Sequence, residues 1–529
     1  MNKRLVVFAT FCLALSAPAV SAQTSASATQ PPEVEVLASA VNAISRMHME
    51  PFSDSTLWEA AIDGLIDALN DPYAELFTPQ EAEAWEEETS GNYSGVGLQI
   101  TMLNDEITVT AVFRGFPADD NGLMVGDVIV GVDEHDASDW DTGMAADSIR
   151  GPVGSAVEVR VRRAGYDLPI SYDLTRAEVH VPAVYWGVLD GDVGYVIMDR
   201  VARNAAREMN EALAELADKN GLVIDLRRNP GGFLDESLML ADLFLKPGST
   251  LASTVQRVPG GAADQPETDS YNDRWPQLVP DLPVVILVDE FTASGAEILA
   301  GALQDYDRAV VLGQRTFGKG VVQTVMNLPY GRRLRFTTGS WLTPLGRSLQ
   351  RSRDGQGRPL PEVVDSLPRI QTASGRSLIA GGGVFPDLVI QDDTLKIVER
   401  EFIRKMNEAQ FPLGLRITEY GFAVASERRE SGREPGLTEA EFQRFVSNLV
   451  ADGLDPMSIE DPDVRDYLFW RTEMAVAQRM DDIAAEAKFR MRRDPVLTEA
   501  LRLLAGSGSQ QALLQRVDAL PEATQKPRG

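Results

Sequence analysis

The chain has 529 residues, a formal net charge of −29 and 44% hydrophobic residues, enough apolar material for roughly three domains. So strong an acidic balance excludes nucleic acid or an anionic lipid surface as the main partner. The single cysteine, Cys12, excludes disulfides and thiolate metal sites from everything downstream.

In chain order, residues 1–22 read as a secretory signal. Lys3 and Arg4 open it, an apolar run follows, and Val20-Ser21-Ala22 is a small-x-small cleavage site. The run is too short to span a bilayer comfortably, and no later stretch is long and apolar enough, so no stable membrane span is expected. The implied location is outside the cytoplasm, most simply the periplasm, with secretion or membrane association as alternatives. Residues 23–33 are Ser/Thr/Ala/Gln-rich and read as a flexible spacer. Residues 34–89 carry helical periodicity, with Val36, Ala40, Ile44 and Met47 on one face. Asp71-Pro72 breaks the pattern, and Thr78-Pro79-Gln80-Glu81 opens the next helix with an N-cap and a proline in its first turn.

The character changes over 90–176. Short β-type runs at 98–102, 107–112, 127–132, 157–162 and 170–174 are separated by turn residues. Ahead of the first, Ser94-Gly95-Val96-Gly97-Leu98 is a Gly-hydrophobic-Gly loop entering a strand. It reads either as a tight turn or as a loop whose N–H groups (Gly95, Val96, Gly97, Leu98) hold a peptide carboxylate. His180, in a strand between domains, reads as structural.

Residues 177–391 alternate strand and helix. Strands are expected at 194–198, 222–226, 284–288 and 309–312, helices at 203–217, 234–245 and 296–304, and a hairpin at 321–328 and 334–340. That alternation is an α/β layered domain. Residues 351–376 are polar, with several Pro and Gly, and read as an inserted loop. From 392 to 520 the pattern is helical, strongest over 462–493, and 521–529 reads as a disordered tail.

Two short runs carry chemistry. Ser294-Gly295-Ala296-Glu297 is first a helix capping box. A serine at a strand-to-helix turn is also presented where N–H groups and the helix dipole stabilise an oxyanion. Lys319, in Gly313-Gln-Arg-Thr-Phe-Gly318-Lys319-Gly320, is a near miss to a P-loop. Gly320 replaces the hydroxyl residue that would hold Mg²⁺, and a strand follows where the phosphate-binding helix should. A lysine packed among glycines and apolar residues loses proton affinity and can serve as a base. The three histidines, His48, His135 and His180, lie far upstream, so Lys319 is the candidate base for Ser294. Arg227-Arg228-Asn229-Pro230-Gly231-Gly232 follows a buried strand and suits an oxyanion hole, with Gly231 and Gly295 as the donor pair and Gly232 as the alternate. No His/Asp/Glu cluster has metal-ligand spacing, so neither metal nor cofactor is expected.

Together these motifs resemble those of the carboxyl-terminal processing peptidases, Ser/Lys serine endopeptidases with an embedded PDZ domain. The resemblance runs over most of 34–390. It rests on Asp71-Pro72-Tyr73, Ile224-Asp-Leu-Arg-Arg-Asn-Pro-Gly-Gly232, Thr292-Ala-Ser-Gly-Ala-Glu-Ile298, Thr316-Phe-Gly-Lys-Gly-Val-Val-Gln323 and Gly381-Gly-Gly-Val-Phe-Pro-Asp387. It implies a multidomain α+β fold: a helical N-terminal region, a PDZ domain at 90–176, a ClpP/crotonase-like α/β core at 177–391 and a C-terminal helical region. It also implies Ser294 as nucleophile, Lys319 as base, Gln323 as its support and the Gly295 N–H in the oxyanion hole. The partners implied are proteins or peptides with exposed C-termini, while a homo-oligomer or an adaptor protein is left open. Family members usually carry a second serine where this chain has Ala296. Two other readings fit the same fold: a catalytically silent PDZ scaffold, and a crotonase-like acyl-CoA enzyme, which an export signal disfavours.

Overall fold

The computed structural model of the protein describes residues 31–163, 165–257, 266–391, 394–480 and 482–520. The signal at 1–22, most of the spacer at 23–33 and the tail at 521–529 lie outside these residues. Pro32 and Glu33, assigned above to the spacer, already belong to a helix. The chain divides into two compact units, Met1–Asn70 and Asp71–Gly529.

The first unit is a pair of helices, Pro32–Met47 and Asp54–Asp67, the second capped by Ser53. Val41 is the one buried residue in these helices, and Val36, Leu37, Ile44 and Leu65 are exposed.

The second unit begins with a short strand, Glu75–Phe77, and a helix, Pro79–Ser90, opened by the Thr78/Glu81 capping box. An antiparallel sheet then forms from Leu98–Leu103, Glu106–Val112, Val128–Val132, Ala156–Arg162 and Ile170–Thr175, with Leu98–Leu103 at one edge. Its inward residues, among them Val109, Ile129, Val159 and Leu174, pack with Ala145 and Ile149 of the helix Thr142–Ile149 into a separate core. Strands Asn92–Gly95 and Ala177–His180 pair antiparallel at the entry and exit of this module. His180 is held between Asn92 Oδ1 (2.7 Å) and Glu208 Oε1 (2.5 Å).

The central sheet has the order Val184–Leu189, Val193–Met198, Leu222–Asp225, Val284–Val288, Val310–Gly313, Leu388–Val389. The first pair is antiparallel and the rest parallel. Parallel strands have both faces covered and therefore read as continuous apolar runs. Leu222–Asp225 and Val284–Val288 are buried at every position. One face (Val196, Ile224, Ile286, Val311) packs on the helices Ala205–Leu216, Leu234–Asp242 and Gly295–Asp305. The other (Tyr195, Val223, Val285, Leu287) is covered by Leu497, Leu503, Leu504 and Leu513 from helices Pro495–Leu504 and Gln510–Asp518 near the end of the chain.

A second sheet carries the hairpin Val321–Asn327 and Arg333–Leu342, close to the expected bounds. It also contains Thr250–Gln256 and Glu267–Asn272, which the sequence reading passed over. The helical stretch expected across 462–493 is broken: Pro462–Arg479 ends, and Asp482 caps a new helix, Ile483–Met491. The segment read as an inserted loop, 351–376, is ordered by specific contacts. Arg353 lies 3.5 Å over the Phe317 ring and donates to the Phe317 carbonyl at 2.6 Å, and Arg315 pairs with Glu362. It braces the loop that carries Lys319.

Candidate active site

Three chain crossings meet at the C-terminal ends of the central strands, where open α/β sheets place their sites. After Val284–Val288 the chain turns at Ser294 into the helix Gly295–Asp305. Ser294 itself has φ 52° and ψ −117°, a conformation that costs a non-glycine residue about 1–3 kcal/mol and recurs at functional turns. The Ser294 hydroxyl makes no cap hydrogen bond. The Glu297 carboxylate does the holding instead, accepting the Ser294 N–H at 2.8 Å.

Glu297 has a second task that its capping position does not reveal. It is fully buried, and it also accepts the Lys319 N–H (2.8 Å), the Gly318 N–H (2.8 Å) and the Thr316 hydroxyl (2.5 Å). Burial raises its carboxyl above the ordinary value, and the four donors offset that only in part. One carboxylate thus fixes the backbone of both the serine turn and the lysine loop.

Lys319 Nζ donates to Gln323 Oε1 at 2.8 Å and lies 5.0 Å from the Tyr73 ring centroid. Gln323 Nε2 donates to the Tyr73 carbonyl at 2.9 Å, which orients the amide so that its oxygen faces the lysine. Burial, aided by the Arg335 cation, lowers the Lys319 pKa to about 8, against the pull of Asp71 and Glu297. Among the described residues no hydrogen bond joins Ser294 to Lys319 directly.

The folded value of Lys319 lies below its ordinary 10.5, so the folded chain pays for the ammonium form. That penalty is complete below about pH 8 and fades as the pH rises towards the unfolded value. Lys319→Met is therefore expected to stabilise the protein at pH 7 by on the order of 2 kcal/mol. The gain should vanish near pH 11 in paired urea denaturations.

The turn after Leu222–Asp225 faces Ser294. A Cβ on Gly231 would meet the Gly295 nitrogen at 2.6 Å, and one on Gly232 would meet the Val201 carbonyl oxygen at 2.1 Å. Both positions need glycine because backbones converge here. The Gly231 N–H is already engaged, donating to Asn229 Oδ1 at 2.8 Å. Among the described residues the N–H groups of Gly232 and Gly295 have no acceptor. The alternate donor, Gly232, is thus better placed than Gly231 to partner Gly295.

These groups line one cavity of about 700 Å³ that includes Ser294, Gly295, Gly231, Gly232, Lys319 and Gln323. Its apolar wall is formed by Leu234, Ile298, Val322 and Trp341, and Trp85 and Thr89 of the helix Pro79–Ser90 close another side. None of the three histidines lines it. Among the described residues no cluster of acidic, His or Cys side chains could hold a metal ion.

The loop Gly95–Leu98 lies elsewhere, in the first antiparallel module. The Val96 and Gly97 carbonyls accept from Ala118 and Phe113, the Tyr93 hydroxyl lies against the Gly97 and Leu98 backbone, and the Val96 N–H has no acceptor among the described residues. The helix Thr142–Ile149 packs beside the adjoining Leu98–Leu103 edge strand, with Met144 exposed. Arg150 reaches from this module to Glu87 of the cavity-lining helix at 3.1 Å.

Fold and site together define an α/β core with a strained serine and a half-buried lysine in one cleft, joined to a small antiparallel module. Residues 192–355 match the model of Peptidase family S41, and residues 94–174 match that of the PDZ domain. The "Carboxy-terminal-processing protease" of Bartonella bacilliformis is 31% identical over 334 residues, 62% of this chain and 74% of that protein. The "Probable CtpA-like serine protease" of Staphylococcus epidermidis is 33% identical over 323 residues, 60% of this chain and 63% of that protein. The chain therefore spans somewhat under two thirds of the staphylococcal relatives' length. Among solved structures, the photosystem II D1 C-terminal processing protease is 25% identical, with 69% of this chain and 95% of that one covered and a TM-score of 0.37. The chain belongs to peptidase family S41.

Proposed function

We propose that the protein is a serine endopeptidase that captures protein C-termini with its PDZ domain and cleaves peptide bonds through Ser294 and Lys319. The observation that carries this reading is the convergence in one cleft of a strained serine, a half-buried lysine with its pKa lowered to about 8 and two unengaged N–H groups. Neutral Lys319 takes the Ser294 proton as Oγ attacks the scissile carbonyl. The Gly232 and Gly295 N–H groups receive the oxyanion. The C–N bond breaks, the ammonium returns the proton to the leaving amine, and an acyl-enzyme remains. Water, deprotonated by the same lysine, then releases the acid and restores Ser294. Gln323 Oε1 aims the amine.

The PDZ loop supplies the Val96 N–H, and beside it the Gly97 and Leu98 backbone now facing the Tyr93 hydroxyl, for a terminal carboxylate, and the Leu98–Leu103 edge offers a strand for backbone pairing. Export to the periplasm is the location that residues 1–22 favour. The exposed apolar residues of the first two helices favour self-assembly.

The test is cleavage of an unfolded protein with an apolar C-terminus, scored with and without its terminal residues. Cleavage that ignores the tail would remove the PDZ role, and no cleavage would remove the activity. A finer check is Gln323→Glu. A carboxylate beside Nζ favours the ammonium form, so the alkaline rise in activity is expected to move upward by about one pH unit or more, read from a kcat/KM–pH profile.

A further inference from the structure

The site rests on a charge cluster that the proposed mechanism does not use. Asp225, the buried last residue of its strand, accepts three bonds from Arg227, from Nε at 2.9 Å, Nη2 at 2.7 Å and the backbone N–H at 3.1 Å. It accepts a fourth from the Tyr195 hydroxyl at 2.8 Å. The other half of the cluster comes from the end of the chain. Asp494 Oδ2 takes the same Arg227 Nη2 at 2.7 Å, and Arg490 Nη1 lies 3.8 Å from Asp225 Oδ2 while pairing with Glu486. Asp494 lies outside both family-matched stretches.

Arg227 immediately precedes the turn that presents the oxyanion donors. Arg228 follows with φ +63° and its N–H on Asp289. The fully buried Asn229 spans from the Met198 carbonyl to the Gly231 N–H. A shift at Arg227 is passed to Gly232 along a short, tightly bonded chain, and a misplacement of about 1 Å at such a donor costs up to a hundredfold in rate.

Asp494 divides its two oxygens. Oδ1 caps the helix Pro495–Leu504 by accepting the Leu497 N–H at 2.9 Å, and Oδ2 holds Arg227. Capping does not need the charge, because asparagine caps as well as aspartate. The charge is needed only by a buried guanidinium, which is costly to leave with too few anions. We propose that Asp494 is a positioning residue for the Gly232/Gly295 oxyanion site, so that the C-terminal helices tune catalysis from behind the sheet. This rests on the peptidase reading above.

The experiment compares the full-length parent chain with Asp494→Asn and Asp494→Glu. It measures kcat and KM on the tailed substrate and affinity for a peptide boronate, which forms a tetrahedral adduct on a serine. Rates are expressed per folded molecule, counted by near-UV circular dichroism. Asparagine keeps the cap and loses the charge; glutamate keeps the charge and is the poorer cap. The expected result is that Asp494→Asn lowers kcat and boronate affinity about tenfold with KM within about twofold, while Asp494→Glu stays within about threefold of the parent in kcat. A purely structural cap gives the reverse ranking. The reverse ranking, or equal rates per folded molecule, overturns the proposal even if either variant is less stable. No cleavage by the parent chain would remove the peptidase reading and this inference with it, whereas an active parent with the wrong ranking removes this inference alone.

Discussion

Ser294→Ala is expected to lower kcat/KM on an unfolded, apolar-tailed protein by roughly ten-thousand- to a million-fold, the range seen when an activated nucleophile is deleted. Lys319→Ala should fall by a similar factor, and the double variant by no more than the worse single, because nucleophile and base act as one unit. The physical reason lies in the cleft. It has no histidine to replace the amine, and Lys319 is the one lysine in its lining. The fold should survive both changes. Ser294 makes no cap hydrogen bond, and the helix start is held by Glu297, so circular dichroism should be unchanged while product formation is lost. A variant retaining a tenth of the parent rate would remove Ser294 from the mechanism.

The second large effect concerns the end of the chain. A protein ending at residue 482 is expected not to fold into a soluble, active form. Val223, Val285, Leu287, Val310 and Leu312 present one face of a mainly parallel sheet, and the residues covering it include Leu497, Leu503, Leu504, Leu513 and Val517, each at most 4% exposed. Truncating one such leucine to alanine costs about 2–5 kcal/mol, and whole domains are stable by only about 5–15 kcal/mol. Losing the entire layer therefore exceeds the available stability. Leu497→Asp in the full chain should have the same direction at smaller scale, read as a lowered Tm. Soluble, proteolytically active protein from the truncated chain would show that the last helices are an appendage rather than half of the core.

The parallel strands were legible because burial on both faces leaves continuous apolar runs, as at 222–226 and 284–288. Ser294 and Lys319 were legible because each stands beside glycines at the end of such a run. Thr250–Gln256 and Glu267–Asn272 were not, since Glu-Thr-Asp-Ser-Tyr-Asn has no apolar alternation and the strand is formed by its neighbours in the sheet. Capping by Glu297 follows from local spacing, but its hold on Lys319 depends on a loop brought back by the fold. The engagement of Gly231 by Asn229 is a side-chain bond that leaves no mark on the glycine pattern. Helicity after residue 392 was readable from periodicity, whereas the surface each helix covers was not. An amphipathic face states that it will be buried, and only the tertiary structure shows that residues 496–517 lie against the central sheet. The same limit hid Arg353, a polar residue in a polar segment that stacks on Phe317.

The central claim is that Lys319, half-buried and neutral in the active form, is the base for Ser294. Its most direct test is the pH dependence of kcat/KM for the parent enzyme between pH 6 and 10. Only the free amine can accept the serine proton, so activity should rise with pH through a single ionisation near the lysine's lowered value of about 8 and level off above it. A profile that is flat across this range, or that rises through about 6.5 as a histidine would, would contradict the assignment.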